Sequence, residues 1–139
     1  MNWLHWSLLS AFFAGLTAVL AKVGVTGVDS NLATAVHTTV VLGFAWLVVL
    51  LTGVGGGVAE FSRRTWVFLI ASGIATGLSW LCYFRALQLG EASRVAPVDK
   101  LSVVFVLVVA ALFLREPVTL KTGIGALLIT AGSVVMAVK

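Results

Sequence analysis

Three ionisable side chains stand where the surrounding chain is apolar: Arg85, Asp99 and Lys100. Arg85 follows a stretch, residues 65–84, without Asp, Glu, Lys or Arg, and Asp99-Lys100 abuts another, residues 101–114. A guanidinium presents a planar fork of N–H donors suited to a carboxylate or phosphate. Asp99 is the natural counter-charge, paired with Arg85 or with Lys100. Lys22, Arg85 and Lys100 set against Asp99 leave a surplus of about two positive charges under ordinary ionisation. A pocket built from these groups favours an anionic or zwitterionic small molecule. His37, beside Thr34 and Thr38, is a possible proton carrier, with a hydrogen-bonded packing role as the alternative. Trp80, Tyr83, Phe84 and Leu87 fall on one helical stripe, which makes Trp80 and Tyr83 candidates for the wall of such a pocket. The candidate binding residues are therefore Arg85, Asp99, Lys100, Tyr83, Trp80 and His37.

Other chemistry is poorly provided for. No HExxH, cysteine-pair, nucleophile-elbow or paired-carboxylate pattern occurs, so an enzyme, a metal and a cofactor are not expected. The single cysteine, Cys82, excludes an intrachain disulfide and reads as a small mid-span packing residue. Gly55-Gly56-Gly57 is not followed by Lys-Ser/Thr, so it reads as a flexible turn and not as a phosphate cradle. The net charge of +4 is scattered and forms no basic stripe, which argues against nucleic acid.

The elements that must position these residues are membrane spans. Residues 1–21, 30–59, 65–84, 101–114 and 122–138 contain no Asp, Glu, Lys or Arg, and the chain is 60% hydrophobic and 10% charged. About 20 apolar residues of helix cross the roughly 30 Å of bilayer hydrocarbon. Runs of this length without strict alternation predict helices, because lipid requires each span to satisfy its own backbone. The spans are expected at 3–21, 32–52, 65–88, 95–114 and 118–138. Ser93 is the expected N-cap of the fourth, with Pro97 in its first turn. Glu116-Pro117 reads as a cap plus first-position proline for the fifth. Trp3, Trp6 and Trp66 lie near span ends, as interfacial anchors do.

Five spans put the termini on opposite sides. Arg63, Arg64, Arg115 and Lys121 then share the N-terminal side, against Lys22, Arg94 and Lys139, joined by Arg85 and Lys100 if embedded charges count. Orientation follows the Lys/Arg excess in cytoplasmic loops. Here the excess is small and its sign depends on the counting, so insertion in both orientations is expected. Alternation of direction places Lys22, His37, Arg85, Asp99 and Lys100 toward the face opposite the N-terminus. Ser7, Ala11 and Gly15, and the GxxxG of Gly73 and Gly77, are small-residue stripes expected to pack helices within one chain, with a dimer interface as the alternative.

From Tyr83 the chain reads YFRALQLGEASRVAP, and from Leu112 LFLREPVTLKTGIGALLITAGSVVMA. With Lys22 near the end of the first span, these segments resemble the EamA domain of the drug/metabolite transporter superfamily. The resemblance spans the chain and implies an all-α membrane protein, a single EamA-like domain of five transmembrane helices over residues 1–139. Glu116 matches the family's marker glutamate, while Asp99-Lys100 departs from the commoner apolar pattern. Larger members carry two such domains as an inverted ten-span repeat. One domain suggests the small bacterial and archaeal branch, a multi-pass protein of the plasma or inner membrane. The implied function is secondary transport by alternating access, as an antiparallel dual-topology homodimer. The implied partners are the lipid bilayer, a second copy and a small solute. A flippase of lipid-linked substrates, or a non-transporting helix bundle assisting a larger complex, is the alternative.

Overall fold

A computed structural model describes residues 2–115 and 117–138. Glu116, read above as a cap and family marker, and the charge of Lys139 lie outside the described residues, as does Met1. Five helices in the described residues are long and apolar enough to cross a membrane: Trp3–Gly24, Ser30–Thr52, Arg63–Leu89, Ala92–Leu114 and Leu120–Ala137. We call the first three α1, α2 and α3. The fourth span is composite, with α4 (Ala92–Asp99), α5 (Ser102–Val109) and a π-helical turn over Ala110–Leu114. The last is α6 (Leu120–Ala137).

Local chemistry sets the boundaries. The Asp29 carboxylate accepts from the backbone N–H of Asn31 (2.9 Å) and Leu32 (3.1 Å), satisfying two of the orphan donors that open α2. Gly53 ends α2 in the left-handed region, φ 71°, which glycine adopts without Cβ strain. The segment expected to be a flexible turn is instead ordered as a 3-10 helix, Val54–Glu60. Three glycines lower its helix propensity but do not prevent a short, tight i→i+3 form. Ser62 opens α3, its hydroxyl accepting from the Thr65 N–H at 3.1 Å. The fifth span starts at Leu120, not 118, because the Thr119 hydroxyl accepts from the Thr122 N–H and supplies the cap. Pro117 is thus outside the helix instead of at its first position.

The fourth span departs most from expectation. It starts at Ala92, after Glu91 as N-cap, so Ser93 lies within the helix and Pro97 is six residues in. Pro97 has no N–H for the Ser93 carbonyl. The next turn tightens: Lys100 N–H reaches Pro97 O (3.1 Å), Leu101 reaches Val98 O (3.0 Å), Val103 reaches Lys100 O (3.0 Å) and Val104 reaches Leu101 O (2.9 Å). All four are i→i+3 bonds, the 3-10 spacing that marks hinges and strain within helices. The span ends at Arg115, whose backbone is left-handed (φ 54°) although it carries a Cβ, a geometry costing about 1–2 kcal/mol.

The described residues form two packing units, Gly24–Gln88 and the remainder. In the first, α2 meets α3 through aromatic rings described below, and the Gln88 amide donates to the Val28 carbonyl at 2.7 Å. In the second, α6 packs on α4 and α5. The buried Ser133 hydroxyl donates to the Pro97 carbonyl at 2.8 Å, and Lys22 Nζ donates to the Gly90 carbonyl, also at 2.8 Å. Small-residue packing within the chain is not realised at the expected stripes. A Cβ added at Gly15, Gly73 or Gly77 meets nothing within 4 Å, and Ser7 and Ala11 are exposed. Cys82 is likewise exposed and not a core residue.

Ser133→Ala deletes a side-chain bond between α6 and the proline turn. Interhelical bonds in membranes are worth about 0.6 kcal/mol. Steric-trap unfolding in bicelles is expected to show a loss of about that size, and no loss would mean that the bond contributes nothing beyond packing.

Candidate functional site

Of the candidate site residues, His37 lies on α2 and Trp80, Tyr83 and Arg85 on α3, while Asp99 and Lys100 belong to the fourth span. Their positions follow from helical spacing, since residues three and four apart share a face. On α3, Trp80 and Phe84 lie one turn apart. The His37 imidazole of α2 meets both, with centroids 5.0 Å from Trp80 (interplanar angle 66°) and 5.2 Å from Phe84 (49°). His37 is therefore a ring-packing residue. Phe84 and Leu87 are buried, and Trp80, Tyr83 and His37 are half-buried. The expected stripe thus divides: its lower part is core, and Trp80 and Tyr83 sit at its margin.

A neighbouring stripe of α3 runs Gly77, Leu81, Arg85, spaced by four. Gly77 and Leu81 line an open, largely apolar groove of about 330 Å³, whose opposite wall on α2 mixes Asn31, Thr34, Thr38 and Thr39 with Ala35 and Leu42. The hydroxyls of Thr34, Thr38 and Thr39 each donate to a carbonyl one turn back, at 2.8–2.9 Å. Their protons are committed, so toward the groove these oxygens act as acceptors. A four-residue polar stripe inside a span costs insertion energy that leucine would not, and such stripes mark pathways or helix contacts.

Arg85 extends the groove-lining stripe by one turn. It is exposed, and its guanidinium donates to the Gln88 side-chain carbonyl. Gln88 is itself anchored through its amide to Val28 O. Asp99, expected to pair with Arg85 or with Lys100, is in an ion pair with Lys100 at 3.3 Å. A further ion pair joins Glu91 and Arg94 at 3.2 Å. Arg85 is therefore oriented by a neutral amide, and its charge is not cancelled by a described acid. Asp99 and Lys100 occupy the tightened turn after Pro97, where α4 gives way to α5.

Of the residues expected to act together, the structure joins His37 with Trp80 and Asp99 with Lys100. Sequence reasoning missed Gln88, Asn31 and the threonine groove. The i,i+4 repeat Ser30, Thr34, Thr38 and the i,i+3 spacing of Arg85 and Gln88 were the available signals.

Five apolar spans, the fourth of them interrupted, define a multi-pass helical membrane protein. Residues 1–138 match the EamA-like transporter family, and the chain belongs to that family. It is 50% identical over 137 residues to the "Uncharacterized transporter in cobO 3'region" of a Sinorhizobium species, covering 99% of this chain and 97% of that one. No solved structure matches.

His37→Ala removes two ring contacts, each worth about 1 kcal/mol. In a variant with Trp80 as its single tryptophan, near-UV circular dichroism is expected to flatten with His37→Ala and to survive with His37→Phe. A signal indifferent to both substitutions contradicts the ring cluster.

Proposed function

We propose that this EamA-family protein is a secondary transporter of a small anionic or zwitterionic metabolite, not an enzyme, acting in the cell membrane of a bacterium or archaeon. The observation that carries this reading is Arg85, a charge on the groove-bearing stripe of α3 whose partner is the neutral Gln88. An arginine near a span end held without an acid is suited to take an acid from the substrate. The acceptor oxygens of Thr38 and Thr39 suit an ammonium group, which accounts for the zwitterion option. Trp80 and Tyr83 supply apolar and aromatic surface beside it.

In this reading two copies insert oppositely and form an antiparallel homodimer, which restores an inverted repeat around one path. The odd span count, the near-balanced charges and the open glycine faces of α1 and α3 support it. The broken fourth span provides the bending element for alternating access, with Asp99 and Lys100 at its hinge. Discontinuous helices are characteristic of secondary transporters at their binding and gating regions.

The test is proteoliposome uptake against a panel of labelled carboxylates and amino acids. Arg85→Ala is expected to abolish uptake of the transported solute while leaving insertion and dimer formation intact. Gln88→Glu places a carboxylate on the guanidinium and is expected to reduce uptake at least tenfold, equivalent to about 1.4 kcal/mol. Asp99→Asn is expected to weaken transport, with an altered pH response only if Asp99 exchanges protons. Normal uptake by Arg85→Ala contradicts the assignment.

Orientation is tested separately. Reporters fused at the C-terminus are expected to give signal on both sides of the membrane, and Arg63→Ala with Arg64→Ala to bias the ratio, because few charges decide it. A single orientation in nearly all copies, or a strictly parallel dimer on crosslinking, overturns the antiparallel arrangement.

A further inference from the structure

A second concave site lies at the other end of the α2–α3 pair. Trp46 and Val49 of α2, Val54 and Val58 of the 3-10 segment, Phe61 and Trp66 line a cavity of about 530 Å³. That volume falls in the range of ligand cavities, roughly 300–1,000 Å³. The Phe61 and Trp66 rings stand edge-on, centroids 5.9 Å apart, and make a stiff wall. Trp46 precedes the end of α2 at Thr52 by six residues, about 9 Å along the axis, so the cavity reaches from the span end into the hydrocarbon.

The charges beside it are unusual. α3 opens with Arg63 and Arg64, and its first turn holds no acid. Cations there oppose the positive end of the helix dipole, so the arrangement is electrostatically unfavourable without an external anion. The Arg64 guanidinium lies 5.8 Å from the Phe68 ring centroid, which holds it along α3. Glu60, at the end of the 3-10 segment, offsets one of the two positive charges. A net positive helix end and an apolar, aromatic cavity one turn away match a molecule with an anionic head and a hydrocarbon tail.

We infer that this cavity holds one acyl chain of an anionic phospholipid whose phosphate sits at Arg63 and Arg64. The Trp66 indole, three residues after Arg63, forms the margin between chain and head, the level at which tryptophan settles in bilayers, and Trp46 lines the deeper part. The occupant is a bound membrane lipid, distinct from the solute assigned to the α2–α3 groove.

Native mass spectrometry of the purified full chain, titrated with dioleoyl phosphatidylglycerol or dioleoyl phosphatidylcholine, tests this. One phosphatidylglycerol per protomer is expected to be retained preferentially, with about a fivefold preference contributed by each arginine. Arg63→Ala with Arg64→Ala is expected to equalise the two lipids, and Gly57→Phe, which fills open space on the cavity wall, to lower retention of both. In vesicles, brominated phosphatidylglycerol is expected to quench tryptophan fluorescence more than brominated phosphatidylcholine at the same mole fraction, and Trp46→Phe with Trp66→Phe to remove the difference. Equal retention by the native chain, a preference that survives loss of both arginines, full retention by Gly57→Phe, or a cavity filled by a second copy with no lipid retained would each overturn the inference.

Discussion

Hydrocarbon offers no hydrogen-bond partner, so every polar group that enters a span must find one inside the protein. The chain meets this condition mostly within single helices. Thr34, Thr38, Thr39, Thr76 and Thr130 return their hydroxyl protons to carbonyls one turn back. Where helices end, side chains from other elements take over: Lys22 donates to Gly90 O, and Gln88 donates to Val28 O. Among the described residues, no buried side-chain nitrogen or oxygen lacks a partner. Against that background Arg85 differs in kind. Its donor geometry is fixed by Gln88, but its charge is left for something else to meet. Position, orientation and uncancelled charge are why we propose it as the residue that meets the solute.

The fourth span shows the same constraint resolved differently. Pro97 removes one donor from the middle of the helix, and the chain responds by shortening its bonds to i→i+3 from Lys100 to Val104. The Pro97 carbonyl serves both the Lys100 N–H and the Ser133 hydroxyl, which fastens the weakened turn to α6. Such a turn is held in place but has poorer hydrogen-bond geometry than the helix on either side. That combination suits an element that bends about a fixed point while α6 stays packed on α4. The π-helical turn at Ala110–Leu114 and the left-handed Arg115 leave the far end of the span equally irregular. The span is thus two short α-helices, α4 and α5, with a tightened turn between them and a π-helical turn after.

The spans themselves were legible because charge-free runs have one physical use at this length. Their ends were less so. Pro97 reads as a first-turn proline from local preference alone, because nothing in the sequence shows that the helix begins at Ala92 after Glu91. Thr119 was overlooked as a cap because Glu116-Pro117 offered a stronger local signal. Gly55–Gly57 suggested a flexible turn, since glycine's low propensity is visible and the walls that order the 3-10 segment are not. At the site, charge offered Asp99 as the partner of Arg85 or of Lys100, and it pairs with Lys100. The actual partner of Arg85, Gln88, is neutral and carries no sequence flag. The Thr34, Thr38 and Thr39 wall was hidden for a similar reason: threonine in a span usually bonds its own backbone, and only the facing Gly77 and Leu81 turn that stripe into a groove.

A transport path along α2 and α3 requires their groove to open to water while the helices lie in lipid. Thiol accessibility in intact membranes measures this directly, with Cys82→Ala removing the native, exposed cysteine. Single cysteines at Thr38, Leu81 and Arg85 are predicted to react with a charged, membrane-impermeant methanethiosulfonate, and excess solute to slow the reaction at Arg85→Cys. Labelling at these positions only by lipid-soluble maleimides, with no protection by any solute of the uptake panel, would show a lipid-facing surface and contradict the transport path.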